Sequence, residues 1–261
     1  MKKRWPLYVI FGVVLYLFFL IIELPASWFA WGLHKYSHGT VQLDPIAGSL
    51  WHGNGRLLIY YPRTTPHNLG NVQWRINPLW LFTGQIQTNW RTDSPDIHVD
   101  TTLRLGAGKI TLLDTEAALP AQAATAFYPA ASLISPQGQL RIQIPKLTMD
   151  RNGMTGGGDI QWQNAGSSLT TVQPLGSYRL DIAAAGKTAN LKLSTSQGVL
   201  DLTGLGQWHL QTGQIQLTGT ATPRERAGEL EPLLNLFGQD QGNGKRALAL
   251  NARLPAILPL H

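Results

Sequence analysis

Eighteen consecutive residues, Trp5 to Ile22, pass without a charge. As a helix rising ~1.5 Å per residue, this run is about 27 Å long, close to the ~30 Å of bilayer hydrocarbon. Lys2, Lys3 and Arg4 precede it. Trp5 and Tyr8 flank one end, and Trp28, Phe29 and Trp31 the other, as an interfacial aromatic belt does. Basic residues ahead of a span hold that side in the cytoplasm, which sends the bulk of the chain across the membrane. A cleaved signal peptide has a shorter apolar region, about 7–15 residues, ending in a small-x-small site. Here Glu23-Leu24-Pro25-Ala26-Ser27-Trp28 offers no such site before bulky aromatics. The expectation is an uncleaved anchor. No later stretch matches it in length, so a single span is expected.

Composition narrows the remainder. Charged residues are 14% of the chain, against roughly 25% in an ordinary soluble domain. Nine Trp, seven Tyr and seven Phe argue against a disordered polar tail and provide enough apolar area for a core. Zero Cys excludes disulfides, thiolate metal sites, iron–sulfur clusters and thiol nucleophiles, and suits an oxidising compartment. The net charge is +6, but three of the 21 basic residues lie in the first four positions. No basic stripe remains of the kind that marks a nucleic-acid binder.

Beyond the anchor the dominant signal is alternation with period two. Val72, Trp74 and Ile76 alternate with Gln73 and Arg75. Ile97 and Val99, Leu140 to Ile144, Tyr178 to Ile182, Leu200 and Leu202, Ile215 and Leu217, and Leu248 and Leu250 follow the same rule. Each run is short and bounded by Gly, Pro, Asn or Ser. Such a chain makes an antiparallel meander with one buried and one polar face. Gly138, Gly158, Gly176 and Gly213 each precede an alternating run and are expected at strand starts, where positive φ is often needed.

Two segments depart from this pattern. Pro120 to Pro129 is Ala-rich and reads as a short helix with Pro120 in its first turn. Arg224 to Phe237 places Leu230, Leu233, Leu234 and Phe237 at helical spacing, with Pro232 as a break and Gly238 as a C-cap. The expected fold is mainly β: one N-terminal transmembrane helix, then curved antiparallel sheet with two short helices. The expected divisions are a cytoplasmic tail at 1–4, the span at 5–23 and a periplasmic collar at 24–40. A first β portion at 41–118 and a helix and linker at 119–134 follow. A second β portion takes 135–255, with its helix near 224–237, and a tail takes 256–261.

Catalytic and metal signatures are weak. His34 and His38 stand at i, i+4, but a zinc site needs further ligands that the neighbourhood does not offer. Gly106-Ala-Gly108-Lys109 misses the phosphate-loop pattern and reads as a hairpin turn. Gly156-Gly157-Gly158 reads as a turn or bulge. Asp93, Asp96 and Asp100 fall among Pro95 and alternating residues, which argues for a loop and a solvent face. Neither an H-E-x-x-H nor a G-x-S-x-G motif is present. The expectation is a non-enzymatic protein with no cofactor, no metal and no catalytic residues.

An ordered set of short motifs carries a family resemblance. Leu24-Pro25-Ala26 follows the span, and then come Gly48-Ser49-Leu50-Trp51-His52-Gly53-Asn54-Gly55 and Trp74 through Pro78-Leu79-Trp80-Leu81-Phe82 to Gly84. Gly157-Gly158-Asp-Ile-Gln-Trp162, Ala221-Thr-Pro223-Arg224 and Leu233-Leu234-Asn-Leu-Phe-Gly238 complete it. The chain resembles protein N of the type II secretion system and, more distantly, AsmA-like periplasmic proteins. The resemblance implies a single-pass inner-membrane protein with its bulk in the periplasm. It implies an accessory role in exporting folded proteins across the outer membrane, with other secretion components, on the inner-membrane platform or secretin side, as partners. It carries no catalytic residues with it. Trp51, Trp74, Trp80 and Trp162 are the candidate aromatics, as core fillers or docking anchors. Gly48, Gly53 and Gly55 are expected at tight turns or close backbone approaches. The alternative is a periplasmic protein that handles lipid or another hydrophobic ligand, similar to the AsmA-like or lipopolysaccharide-bridge type, with an apolar sheet face left open as a groove.

Overall fold

The computed structural model describes residues 9, 11–13, 15, 16, 19, 23–37, 41–59, 67–127, 129–235, 237–242 and 244–253. The expected cytoplasmic tail, much of the expected span, His38 and the tail at 256–261 lie outside them. Within the expected span, Val9, Phe11, Val13, Leu15, Tyr16 and Phe19 are helical and exposed. Among the described residues no helix is long and apolar enough to cross a membrane.

The chain is mainly β. It forms two compact units, residues 1–94 and 95–261. The first holds β1 (Val41–Gly48), β2 (His52–Ile59), β3 (His67–Asn77) and β4 (Gln85–Asp93), each antiparallel to the next. Along β3, Val72, Trp74 and Ile76 are buried while Asn71, Gln73 and Arg75 are exposed, as their alternation predicts. The collar folds as a helix, Ala26–Tyr36, and covers that face. Its Ala26, Phe29, Ala30 and Leu33, at helical spacing, pack against Leu43, Trp74 and Ile76.

The second unit holds β5 (His98–Gly106), β6 (Lys109–Pro120), β7 (Gln137–Asp150), β8 (Gly153–Gly166), β9 (Gly176–Gly186), β10 (Thr188–Gly198), β11 (Leu200–His209), β12 (Gln214–Pro223) and β13 (Arg246–Arg253). All are antiparallel neighbours in chain order. Ala107 and Gly108 turn β5 into β6 with φ of 50° and 70°. Two positive values are what a two-residue hairpin of matching twist requires, and the phosphate-loop look-alike is that turn.

Several expectations need correction. The Ala-rich segment does not divide the sheet. β6 and β7, on either side of it, pair from Ile110↔Met149 to Pro120↔Gln139. The segment is an excursion of short helical turns, Ala121–Ala123, Ala124–Phe127 and Pro129–Ile134. The boundary between the units falls instead at Ser94–Pro95, in the connection from β4 to β5. Pro120 ends β6 rather than joining the helix.

The second helix runs unbroken through Pro232, from Ala227 to Leu234. Burial of Leu230, Leu233 and Leu234 outweighs the hydrogen bond that Pro232 cannot make. Gly238 is not its cap, because its N–H donates to the carbonyl of Ala247 at 2.7 Å. Of the four repeat glycines, only Gly138 and Gly213 have positive φ, 98° and 72°. Gly158 lies mid-strand, where a Cβ would meet the Gln143 carbonyl oxygen at 2.3 Å. There the glycine run faces a register shift between Gln143 and Lys146, so the expected irregularity is a bulge on β7.

Candidate functional site

Three surfaces stand out, one in the first unit and two in the second. In the first unit, Trp74 is 2% exposed and organises the core. Its indole N–H donates to the Leu50 carbonyl at 3.1 Å, and Phe29 of the collar helix stacks on it at 4.9 Å. Trp90, across the ladder at Trp74↔Trp90, completes the cluster, 5.5 Å from Phe29. Sequence reading passed over Trp90, although its alternation with Thr88 and Thr92 on β4 was available.

The candidate glycines explain how the indole fits. Gly53 lies opposite Trp74, and a Cβ there would stand 2.3 Å from the indole ring. Gly55 lies in the same strand, where a Cβ would meet the Pro45 carbonyl oxygen at 3.2 Å. These two are close-approach glycines within β2, not turn residues. Gly48, with φ of 100°, is the one that serves the turn. Trp51 is half-buried against the same core. The Trp74 surroundings are therefore a packed interior with no open ring face for a partner.

The exposed apolar groups of the first unit lie elsewhere. Asn77 caps a 3₁₀ turn, Pro78–Thr83, by accepting the Leu79 N–H on its side chain at 3.0 Å. Gly84, with φ of 69°, ends it. Trp80 is half-buried, whereas Leu79 is 68% and Phe82 87% exposed. On the collar helix, Trp28 and Trp31 are 63% and 60% exposed on the side away from the core.

The second unit carries one apolar and one polar face. On the apolar face, register aligns Val99, Ala117, Ile142, Ile160, Leu180, Leu193, Gly204, Gly219 and Leu248, one from each of the nine strands. Every member of that row is half-buried. Leu191 and Leu217, paired through Gly206 beside that row, and Tyr178 are buried, and the other buried apolar residues gather mainly in two clusters. One gathers Val172, Leu175, Leu200 and Ala221 under helix Ala227–Leu234. The other gathers Met154, Ala184, Ala189 and Leu210. Gly204 and Gly219 face each other in the register, and a Cβ on Gly219 would reach the Thr203 carbonyl oxygen at 1.9 Å. The backbones there approach too closely for any side chain. Trp162 lies on the apolar face, half-buried, its N–H donated to the Gln137 carbonyl at 2.8 Å, beside Tyr178 at 6.0 Å. The Tyr178 hydroxyl donates to the Leu200 carbonyl at 3.1 Å. Burial, aided by Asp201, pushes its pKa up.

On the polar face, Asp159 and Asp181 pair across β8 and β9. Arg179 donates to both, at 3.0 Å and 2.7 Å, and Gln161 donates to Asp159 at 2.9 Å. The Asp181 hydrogen bond and the Asp159 charge raise the Arg179 pKa. Two carboxylates thus converge in an open hollow of about 490 Å³ that Leu191, Lys192 and Leu205 also line, with their oxygens engaged by the guanidinium in the geometry of a cross-strand ion pair. No motif signalled this cluster beyond three charged residues at polar positions of neighbouring strands. Among the described residues no group of three or more His, Asp or Glu is placed to hold a metal ion.

Neither curated proteins nor solved structures gave a match to this chain. Residues 39–249 match the family described as Type II secretion system (T2SS), protein N. That span runs from the start of β1 into β13 and takes in nearly all of the 13-stranded sheet. The chain belongs to the protein N family of the type II secretion system.

Proposed function

We propose that this type II secretion component is an accessory, non-enzymatic protein of the inner membrane that docks other secretion components in the periplasm. The uncharged run Trp5–Ile22 behind Lys2, Lys3 and Arg4 supports the anchor and its orientation. The observation that carries docking is β13. Its edge away from β12 is met at Arg246 and Ala247 by residues 238–240. Beyond them Leu248 to Ala252 reads Leu-Ala-Leu-Asn-Ala, with no charge and, among the described residues, no strand beside it but β12. Edge strands are ordinarily guarded by charge, proline or a bulge. An unguarded edge accepts a strand from a partner through main-chain hydrogen bonds.

A photoreactive residue at Ala249 or Asn251, crosslinked in cells, tests this. Adducts to inner-membrane or secretin-side secretion components are the expected outcome. Adducts to lipid without protein would replace docking by a second reading, the handling of a lipid or other hydrophobic ligand. The nine-strand row of half-buried apolar residues favours that alternative, because a face in a closed core would be buried throughout.

A further inference from the structure

The exposed 3₁₀ turn Pro78–Thr83 lies on the same rim of the first unit as the end of the uncharged N-terminal run, and backbone hydrogen bonds fix that placement. The Leu50 N–H donates to the Leu24 carbonyl at 2.7 Å, and Pro25 bridges to Ser49. One residue on, the Trp51 carbonyl accepts the Ile76 N–H at 2.6 Å. Two strand spacings, about 10 Å, therefore separate the backbone leaving the apolar run from the residue that leads into the turn. The chain gains nothing internal from exposing Leu79, Leu81 and Phe82, since apolar area left in water forgoes its transfer free energy.

The collar helix repeats the pattern on that rim. Trp28 and Trp31 share one exposed face, and the Lys35 ammonium lies 4.7 Å from the Trp31 ring centroid. Indoles with a lysine beside them are residues that settle at a bilayer interface. We infer that Leu79, Leu81 and Phe82 form a second membrane contact, seated in the outer-leaflet interface beside the collar tryptophans, so that the first unit lies against the bilayer instead of swinging from its anchor. This rests on the anchor reading. It commits to lipid, not to a second copy or a partner protein, because hydrogen bonds through Leu50 and Trp51 hold the strand that leads into the turn two spacings from Leu24, just past the apolar run.

The absence of native Cys makes the test clean. Phe82→Cys, Gly12→Cys and Asn71→Cys, each the only thiol in the full chain, carry an environment-sensitive fluorophore. The labelled proteins are reconstituted in phosphatidylethanolamine–phosphatidylglycerol vesicles with and without lipid-borne quencher. Asn71 is the in-unit control, six residues or ~20 Å along β3 from the rim. The expected result is strong lipid quenching at positions 12 and 82 and little at 71. Quenching at 12 without 82 overturns the second contact and leaves the anchor standing. Quenching at 82 without 12 keeps the contact and removes the anchor. Absence at both sites removes both readings. A blue-shifted, unquenched fluorophore at 82 assigns the turn to a protein interface and overturns the proposal.

Discussion

The two units solve one problem in opposite ways. Both are antiparallel meanders whose alternation gives each strand an apolar side. The first lays an amphipathic helix over that side and fills the gap with Phe29, Trp74 and Trp90. The second has more than twice the strands, yet one apolar row stays half-buried along all of them, and burial gathers mainly in the two end clusters, with Leu191, Leu217 and Tyr178 between them. A covering helix makes a sheet face a core. Without one, a sheet gains burial only from neighbours in the same sheet, and the face stays open to whatever the chain meets. The contrast locates stability in the first unit at one indole, and in the second at its ends.

Substitutions break or sharpen this contrast. Trp74→Ala removes the centre of the first core and is expected to cost that unit about 3–5 kcal/mol. Denaturant unfolding of the full chain in detergent, followed by fluorescence, reads it, and a loss under about 1 kcal/mol would remove the indole from the centre of the account. Leu230→Ala, at a fully buried site of the capping helix, is expected to cost about 2–5 kcal/mol. Leu180→Ala, in the half-buried row, should cost only about 1–2 kcal/mol. Equal losses at the two leucines would mean that the row is a closed core, and the hydrophobic-ligand alternative would go with it. Gly53→Ala forces a methyl against the Trp74 ring and is expected to cost about 1–3 kcal/mol. The double variant with Trp74→Ala should recover only part of that, because the Ala47 carbonyl oxygen, 2.7 Å from the added Cβ, remains.

The smallest effect concerns pH. Glu229 accepts from the Arg226 guanidinium at 2.8 Å and from the Thr171 hydroxyl at 3.1 Å, and these bonds hold its pKa below the usual carboxylate range. A depressed folded-state pKa stabilises above the unfolded value, and this contribution is lost as pH falls through the carboxylate range. The unfolding midpoint should drop slightly more between neutral pH and pH ~3.5 in the native chain than in Glu229→Gln. Parallel pH profiles would show that this surface clasp contributes nothing to the capping helix.

Much of this was legible from residue order, and the failures share a cause. Period two gave the strands, and the buried side of β3 and the half-buried side of β7 are the sides that alternation names. The leucine spacing at 230, 233 and 234 gave the capping helix. Pro232 misled because local propensity weighs a lost hydrogen bond while ignoring the tertiary burial that offsets it. The Ala-rich segment misled as a boundary, because sequence does not reveal that the strands before and after an excursion pair with each other. Gly53 and Gly158 were legible as glycines but not as close approaches, since the atom each would strike lies on another strand. Among the candidate aromatics, Trp80 drew attention by its size, while the exposed groups are its neighbours Leu79 and Phe82.

The sequence by itself determined the uncharged run, the β class, the capping helix and the family motifs, because each is written in spacing along the chain. Tertiary structure decided which indole is core, which carboxylates meet, where the unit boundary falls and which apolar row stays half-open. Those depend on what packs from elsewhere, and a chain's spacing fixes which side a residue takes but not what lies above it.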